Sequence, residues 1–173
     1  MKRLFGLIAI ACATTLVKAE PLSNEQWWSY LASYDAGPGS ILLNLALRKQ
    51  APLTDYPHIV VTGTTYSSSG KKGLPEATDF GRLNALEEKV IAAIAKKSQY
   101  IHAGTFTHNF EQLQYVYVKN PSGISQALAD VYREHCPGCK TYTNIKNDEA
   151  WSTYSKFLFP NEATLKHYGV RLQ

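Results

Sequence analysis

The sequence predicts an α+β sandwich: a mainly antiparallel sheet, two helices on one of its faces, and a short helical segment near the C-terminal end. Three observations lead there. Residues 27–66 hold runs with alternating or β-branched character, whereas two later stretches repeat apolar residues at helical spacing. Between those stretches, two strand-like runs bracket a four-residue turn.

Trp27 to Tyr34 is aromatic-rich and stops at Asp35-Ala36-Gly37-Pro38-Gly39, a turn cluster, so it reads as a strand. From Ser40 to Arg48 the apolar residues Ile41, Leu43, Leu45 and Leu47 alternate with Ser40, Asn44, Ala46 and Arg48, which predicts a second strand; only Leu42 breaks the period. His58 to Tyr66 is rich in β-branched residues, and three successive strands joined by short connections predict a meander. Ser67 to Pro75 has the Ser, Gly and Lys content of a surface loop carrying Lys71 and Lys72. A helix follows, started at Thr78 or Asp79 and carrying Leu83, Leu86, Val90, Ile91 and Ile94 on one stripe.

Tyr100 to Thr107 and Leu113 to Lys119 then form a hairpin around His108-Asn109-Phe110-Glu111. Pro121-Ser122-Gly123 opens a second helix with Ile124, Ala127, Leu128 and Val131 inward, and Pro137-Gly138 ends it. Lys140 to Lys146 is the last strand. Asp148 caps a segment with Trp151, Tyr154 and Leu158 on one side, and a terminal helix ends near Tyr168. Two amphipathic helices cannot cover both faces of such a sheet, so both are expected on one face. The ferredoxin-like pattern, with an extra N-terminal strand, is the nearest arrangement with right-handed crossovers.

The N-terminus bears on location. Lys2 and Arg3 precede an apolar run from Leu4 to Val17, which is short for a membrane span, and Val17-Lys18-Ala19 suits signal peptidase. The expectation is a signal peptide over 1–19 and a single domain over 20–173, exported to a periplasm or the medium, with no membrane span once the leader is removed. Ala9-Ile10-Ala11-Cys12 loosely resembles a lipobox, so a lipoprotein anchored through Cys12 is the alternative. The formal charge of +4 comes largely from the leader. Without Lys2, Arg3 and Lys18, 15 basic residues face 14 acidic ones. A nearly neutral domain lacks the clustered cationic excess of a nucleic-acid binder.

Several motifs carry a family resemblance. Asp35-Ala36-Gly37-Pro38-Gly39-Ser40-Ile41 with Asn44-Leu45, the run from Gly73-Leu74-Pro75 through Asp79-Phe80 to Leu86-Glu87, and Trp151-Ser152-Thr153-Tyr154 followed by Leu158-Phe159-Pro160 resemble the domain of unknown function 695 family. The resemblance covers most of Glu25 to Leu165 and implies a compact α+β domain. Its closing segment is similar to that of ribonuclease E regulator B-like domains, which have a ferredoxin-like fold. It implies no catalytic residue and no cofactor.

The chemistry-bearing groups are few. Cys136-Pro137-Gly138-Cys139 can form a disulfide or a redox pair, but it follows a helix where a thioredoxin-like motif would open one; the negative end of the dipole there disfavours a thiolate. With His135 it makes only an incomplete zinc set, so no metal is expected. Glu87-Glu88 falls on a helix surface, where solvation explains it. No G-x-S-x-G, H-E-x-x-H or phosphate-cradling motif occurs. Strand phase places His102, Gly104, Phe106 and His108 on one face, with Tyr115 and Tyr117 across the hairpin. With helices on the other side, His102, Phe106, Tyr115 and Tyr117 form an exposed amphipathic platform for an unknown protein or small ligand. The expected function is a non-enzymatic exported binding module. The alternative is a thiol–disulfide-active or metal-binding protein using Cys136, Cys139 and nearby His.

Overall fold

The computed structural model describes residues 25–70 and 72–170. The expected signal peptide, Cys12 and Lys71 lie outside them. The elements are β1 (Trp27–Tyr34), β2 (Gly37–Asn44), β3 (His58–Thr65), α1 (Phe80–Ala95), β4 (Tyr100–His108), β5 (Glu111–Val118), α2 (Ile124–His135), β6 (Thr141–Asn147) and α3 (Glu162–His167). The six strands form one open antiparallel sheet in the order β1-β2-β4-β5-β3-β6.

The meander is corrected. β3 pairs with β5 and β6 instead of β2, whose second partner is β4. The cause lies between β2 and β3. The alternation expected to run on to Arg48 ends at Asn44, whose side-chain carbonyl accepts from the Ala46 N–H at 3.1 Å and starts a 3-10 helix, Leu45–Lys49. Leu45 and Leu47 are buried from that helix, so their sequence period reports burial without strand. The following connection carries the chain across the sheet, leaving β2 free to meet β4. Leu42, the residue out of phase, is 37 % exposed.

The helices pack together on one face, as their stripes require. Val90 and Ile94 of α1 and Ile124, Leu128 and Tyr132 of α2 bury against Val60, Val116 and Val118. Asp79 stands at the N-terminus of α1, although its carboxylate accepts from the Glu76 N–H at 2.9 Å instead of from the helix. The hairpin between β4 and β5 turns on Asn109 and Phe110, both with positive φ, in keeping with the primed two-residue turns that match strand twist.

The opposite face is also covered, which corrects the open platform. Trp151, Tyr154 and Leu158 pack into a core with Tyr30, Ile41, Leu43, Ile59, Tyr115 and Tyr117. Trp151 stacks on Tyr117 with ring centroids 3.7 Å apart and an interplanar angle of 3°. Its indole N–H donates to the Tyr56 carbonyl at 3.1 Å, tying this segment to the β2–β3 connection. Asp148 anchors the segment's start by accepting from the Ser152 and Thr153 N–H groups at 2.8 and 2.9 Å and from the Tyr117 hydroxyl at 2.7 Å. Among the described residues, no helix is long and apolar enough to cross a membrane.

Candidate functional site

The C-terminal segment does not reach the β6 side of the face it covers. In the strand register, Asn144 lies beside Val61 and Val61 beside Tyr115, while Tyr142 lies beside Gly63 and Gly63 beside Leu113. Gly63 contributes no side chain to its row, which leaves the floor open there. A Cβ at this position would stand 1.9 Å from the Gln112 carbonyl oxygen, so the close approach of β3 to β5 requires glycine.

The result is a groove of about 400 Å³, within the size range of small-ligand sites. Val61, Leu113 and Tyr115 make its floor, Thr153 and Phe157 of the C-terminal segment one wall, and Tyr142, Asn144 and Lys146 of β6 the other, with Glu111 also lining it. Phe157 is held from behind by Phe106, edge-on at 5.2 Å, and meets Tyr115 at 5.5 Å. Burial, helped by neighbouring Tyr142, Tyr34 and Glu111, pushes the Tyr115 phenol well above its ordinary value. Like an ordinary tyrosine it is a neutral hydroxyl at physiological pH, and burial moves its ionisation further away. The Asn144 amide donates to the Tyr142 hydroxyl at 3.2 Å, which organises the rim.

The four side chains expected on one platform are divided. Tyr115 lines the groove, Phe106 buttresses its wall, and Tyr117 lies beneath Trp151 with no exposed surface. His102 is on the helix face. A bulge between His102 and Gly104 inserts Ala103, so His102 pairs with Val116 whereas Gly104 pairs with Tyr115; one extra residue reverses the phase of everything before it. There, burial drives the His102 pKa down to about 4, partly opposed by the Gly104 carbonyl near Nε2 at 3.2 Å. His102 is thus neutral at pH 7. Glu87, expected in solvent, lies half-buried with an oxygen 4.0 Å from His102 Nδ1, and burial raises its pKa despite hydrogen bonds from Gln114 and Thr105. Together with Asn84, Glu88, Ile91, Ala92 and Tyr100 they line a shallow depression of about 580 Å³.

Sequence reasoning missed a buried polar strip beside this depression. Thr62, Thr64, Thr105, Thr107, Gln112 and Gln114 are all under 10 % exposed. Gln114 bonds Glu87 at 3.4 Å and Gln112 at 3.3 Å, and Thr62 bonds the Tyr132 hydroxyl at 2.8 Å. Alternating Gln and Thr read as solvent-facing; the signal of burial was the absence of charge from those positions.

Cys136 and Cys139 are joined in a disulfide just past α2, where Cys136 caps the helix through an N–H to the Tyr132 carbonyl at 2.9 Å. Among the described residues, no group of three or more His, Cys, Asp or Glu side chains is placed to hold a metal ion.

Sheet, helices and groove together define a small α+β domain with a ligand-sized cleft on the face away from its helices. A family model, a family of unknown function called DUF695, matches residues 25–159, and the chain belongs to that family. No curated protein and no solved structure matches it.

Proposed function

We propose that this protein is an exported, non-enzymatic binding module, and that its groove takes a small amphipathic ligand. The apolar part of that ligand lies on Val61, Leu113, Tyr115 and Phe157, with an anionic group toward Lys146. The observation that carries this reading is the composition of the groove: an apolar floor, a hydroxyl and amide rim, and a Tyr115 phenol, which is protonated at neutral pH. Such a lining orients a ligand without supplying a nucleophile activated by a base. Export rests on the order of charge, apolar run and small residues at the N-terminus, and the Cys136–Cys139 disulfide is compatible with an oxidising compartment. The ferredoxin-like reading is supported by β3-α1-β4-β5-α2-β6, whose strands lie in the order β6-β3-β5-β4 with β1 and β2 added beyond β4.

Titration with anilinonaphthalene sulfonate, an apolar anion, tests the groove. Saturable single-site binding is expected, weakened about tenfold by Lys146→Glu and by Leu113→Asp in variants that keep the wild-type circular dichroism. Equal binding by wild type and both variants would remove the groove from consideration. N-terminal sequencing of protein secreted by a bacterial host should begin at Glu20. The second reading, thiol–disulfide exchange, is favoured by the disulfide itself. Insulin reduction that disappears in Cys136→Ser would establish it.

A further inference from the structure

We propose that β6 is a self-association edge, and that two copies of this chain join antiparallel through it about a two-fold axis at Asn144, making one continuous sheet. The inference is independent of what the groove binds.

The phase of the backbone hydrogen bonds is the starting point. The Thr65 N–H donates to the Lys140 carbonyl at 2.9 Å and the Asp148 N–H to the Pro57 carbonyl at 2.8 Å, at either end of the β3–β6 ladder. In the β3–β6 register, the even-numbered residues Tyr142, Asn144 and Lys146 therefore spend their N–H and C=O groups on β3. Thr141, Thr143, Ile145 and Asn147 aim theirs away from the sheet. β6 ends the strand order, and every one of its residues but Ile145 is exposed. It is seven residues long, free of proline and bulge, and carries Lys146 as its sole charge, so little blunts it as a template.

Charge and register select a second copy as its occupant. Outward groups meet outward groups only if an odd-numbered residue faces an odd-numbered one, which restricts self-pairing to a few registers. Centring on Thr143 sets Lys140 of each copy against Lys146 of the other, and centring on Ile145 leaves Thr141 beyond the partner strand. Centring on Asn144 pairs Thr143 with Ile145 and Thr141 with Asn147, using the whole strand. It also sets Lys146 against the Tyr142 ring, a cation–π geometry, and Lys140 against the Asp148–Glu149 corner, where opposite charges meet. An extended segment of another protein could satisfy the backbone but has no reason to match this charge order.

The axis makes the test specific, because residue 144 alone faces its own copy. Sedimentation velocity of the full chain from low-micromolar to near-millimolar concentration should show a monomer–dimer equilibrium. Asn144→Lys and Asn144→Glu, each opposing like charges, should weaken it about tenfold or more. An equimolar mixture of the two should restore it. Asn144→Cys should yield a disulfide-linked dimer on mild oxidation, and Tyr142→Cys should not. A wild type that stays monomeric throughout, a dimer indifferent to both charge variants, or a mixture that fails to recover overturns the proposal. So does a monomer whose β6 amides become protected only when a foreign protein is bound.

Discussion

Replacing Tyr117 by Phe isolates what holds the C-terminal segment over the sheet. The ring stays and so does its stack on Trp151, but the hydroxyl is lost. That hydroxyl donates to Asp148 Oδ2 at 2.7 Å and accepts from the Tyr154 N–H at 3.2 Å. A hydrogen bond to a charged acceptor contributes about 1.5–3 kcal/mol, and an N–H left buried without a partner costs about 1–3 kcal/mol. Partial replacement by water brings the expected loss to about 3 kcal/mol at pH 7, or roughly 6–12 °C in Tm for a domain of this size. Urea unfolding followed by tryptophan fluorescence measures it directly.

The same variant makes a prediction about pH. Burial alone would raise the Asp148 pKa; the Thr153 N–H, the Tyr117 hydroxyl, the Thr153 hydroxyl and the Ser152 N–H outweigh it and hold the carboxyl below its ordinary 3.8. A carboxyl depressed in the folded state stabilises above its unfolded pKa, and that contribution disappears as pH falls through the folded value. The gap between wild type and Tyr117→Phe should therefore be constant from neutral pH down to about 4 and narrow below it. A loss under about 0.5 kcal/mol, the scale of an ordinary surface change, would refute the anchoring role of Asp148. A gap unchanged well below pH 4 would refute it too.

Two further outcomes test other parts of the fold. His102, with a folded pKa of about 4 against 6.5 in the unfolded chain, binds its proton later than the unfolded state does, so stability should fall as pH drops from 6.5 toward 4. His102→Gln should flatten the pH dependence of urea unfolding in that window, and an unchanged slope would contradict the buried, neutral ring. Gly63→Ala drives a methyl into the Gln112 backbone, and the strands must part for it. A loss above about 3 kcal/mol is expected by thermal denaturation, beyond the about 1–3 kcal/mol usual for overpacking, because backbone cannot repack. A Tm within a degree or two of wild type would show that β3 and β5 are not so close.

The readable parts of this fold are those where one period decides. α1 and α2 announced themselves through Leu83, Val90, Ile94, Ile124 and Leu128, all buried, and the hairpin through the residues around Asn109. Trp151, Tyr154 and Leu158 were legible as one side of a segment, and all three are buried. What no local pattern carries is the identity of a neighbour. β3 reads as a strand whether β2 or β5 lies beside it, and nothing in its residues says that the chain crosses the sheet first. The bulge at Ala103 is similarly silent, yet it alone moved His102 to the other face.

The aromatic platform failed for a reason that also explains the groove. A face holding Tyr30, Tyr115, Tyr117 and Phe106 is too apolar to stay in water when the same chain carries Trp151, Tyr154, Phe157 and Leu158 on one side of a tethered segment. Burial of both sets was the lower free-energy outcome, and Tyr117 became a hidden donor to Asp148. The cover stops where its register with the sheet stops: beyond Phe157 lie the row opened by Gly63 and the polar side chains of β6. The strip left uncovered is therefore bounded by a rigid aromatic wall on one side and by the sheet's unpaired edge on the other. Ligand binding and self-association meet on β6, where Tyr142, Asn144 and Lys146 line the groove and also face the partner strand, while the odd-numbered backbone groups point outward to pair with it. Replacing Thr141 by Pro removes an outward N–H that self-association uses and no side chain of the groove, so a variant that loses self-association in this way should still bind an apolar probe on Val61, Leu113 and Phe157. Loss of both together would mean that the second copy completes the site.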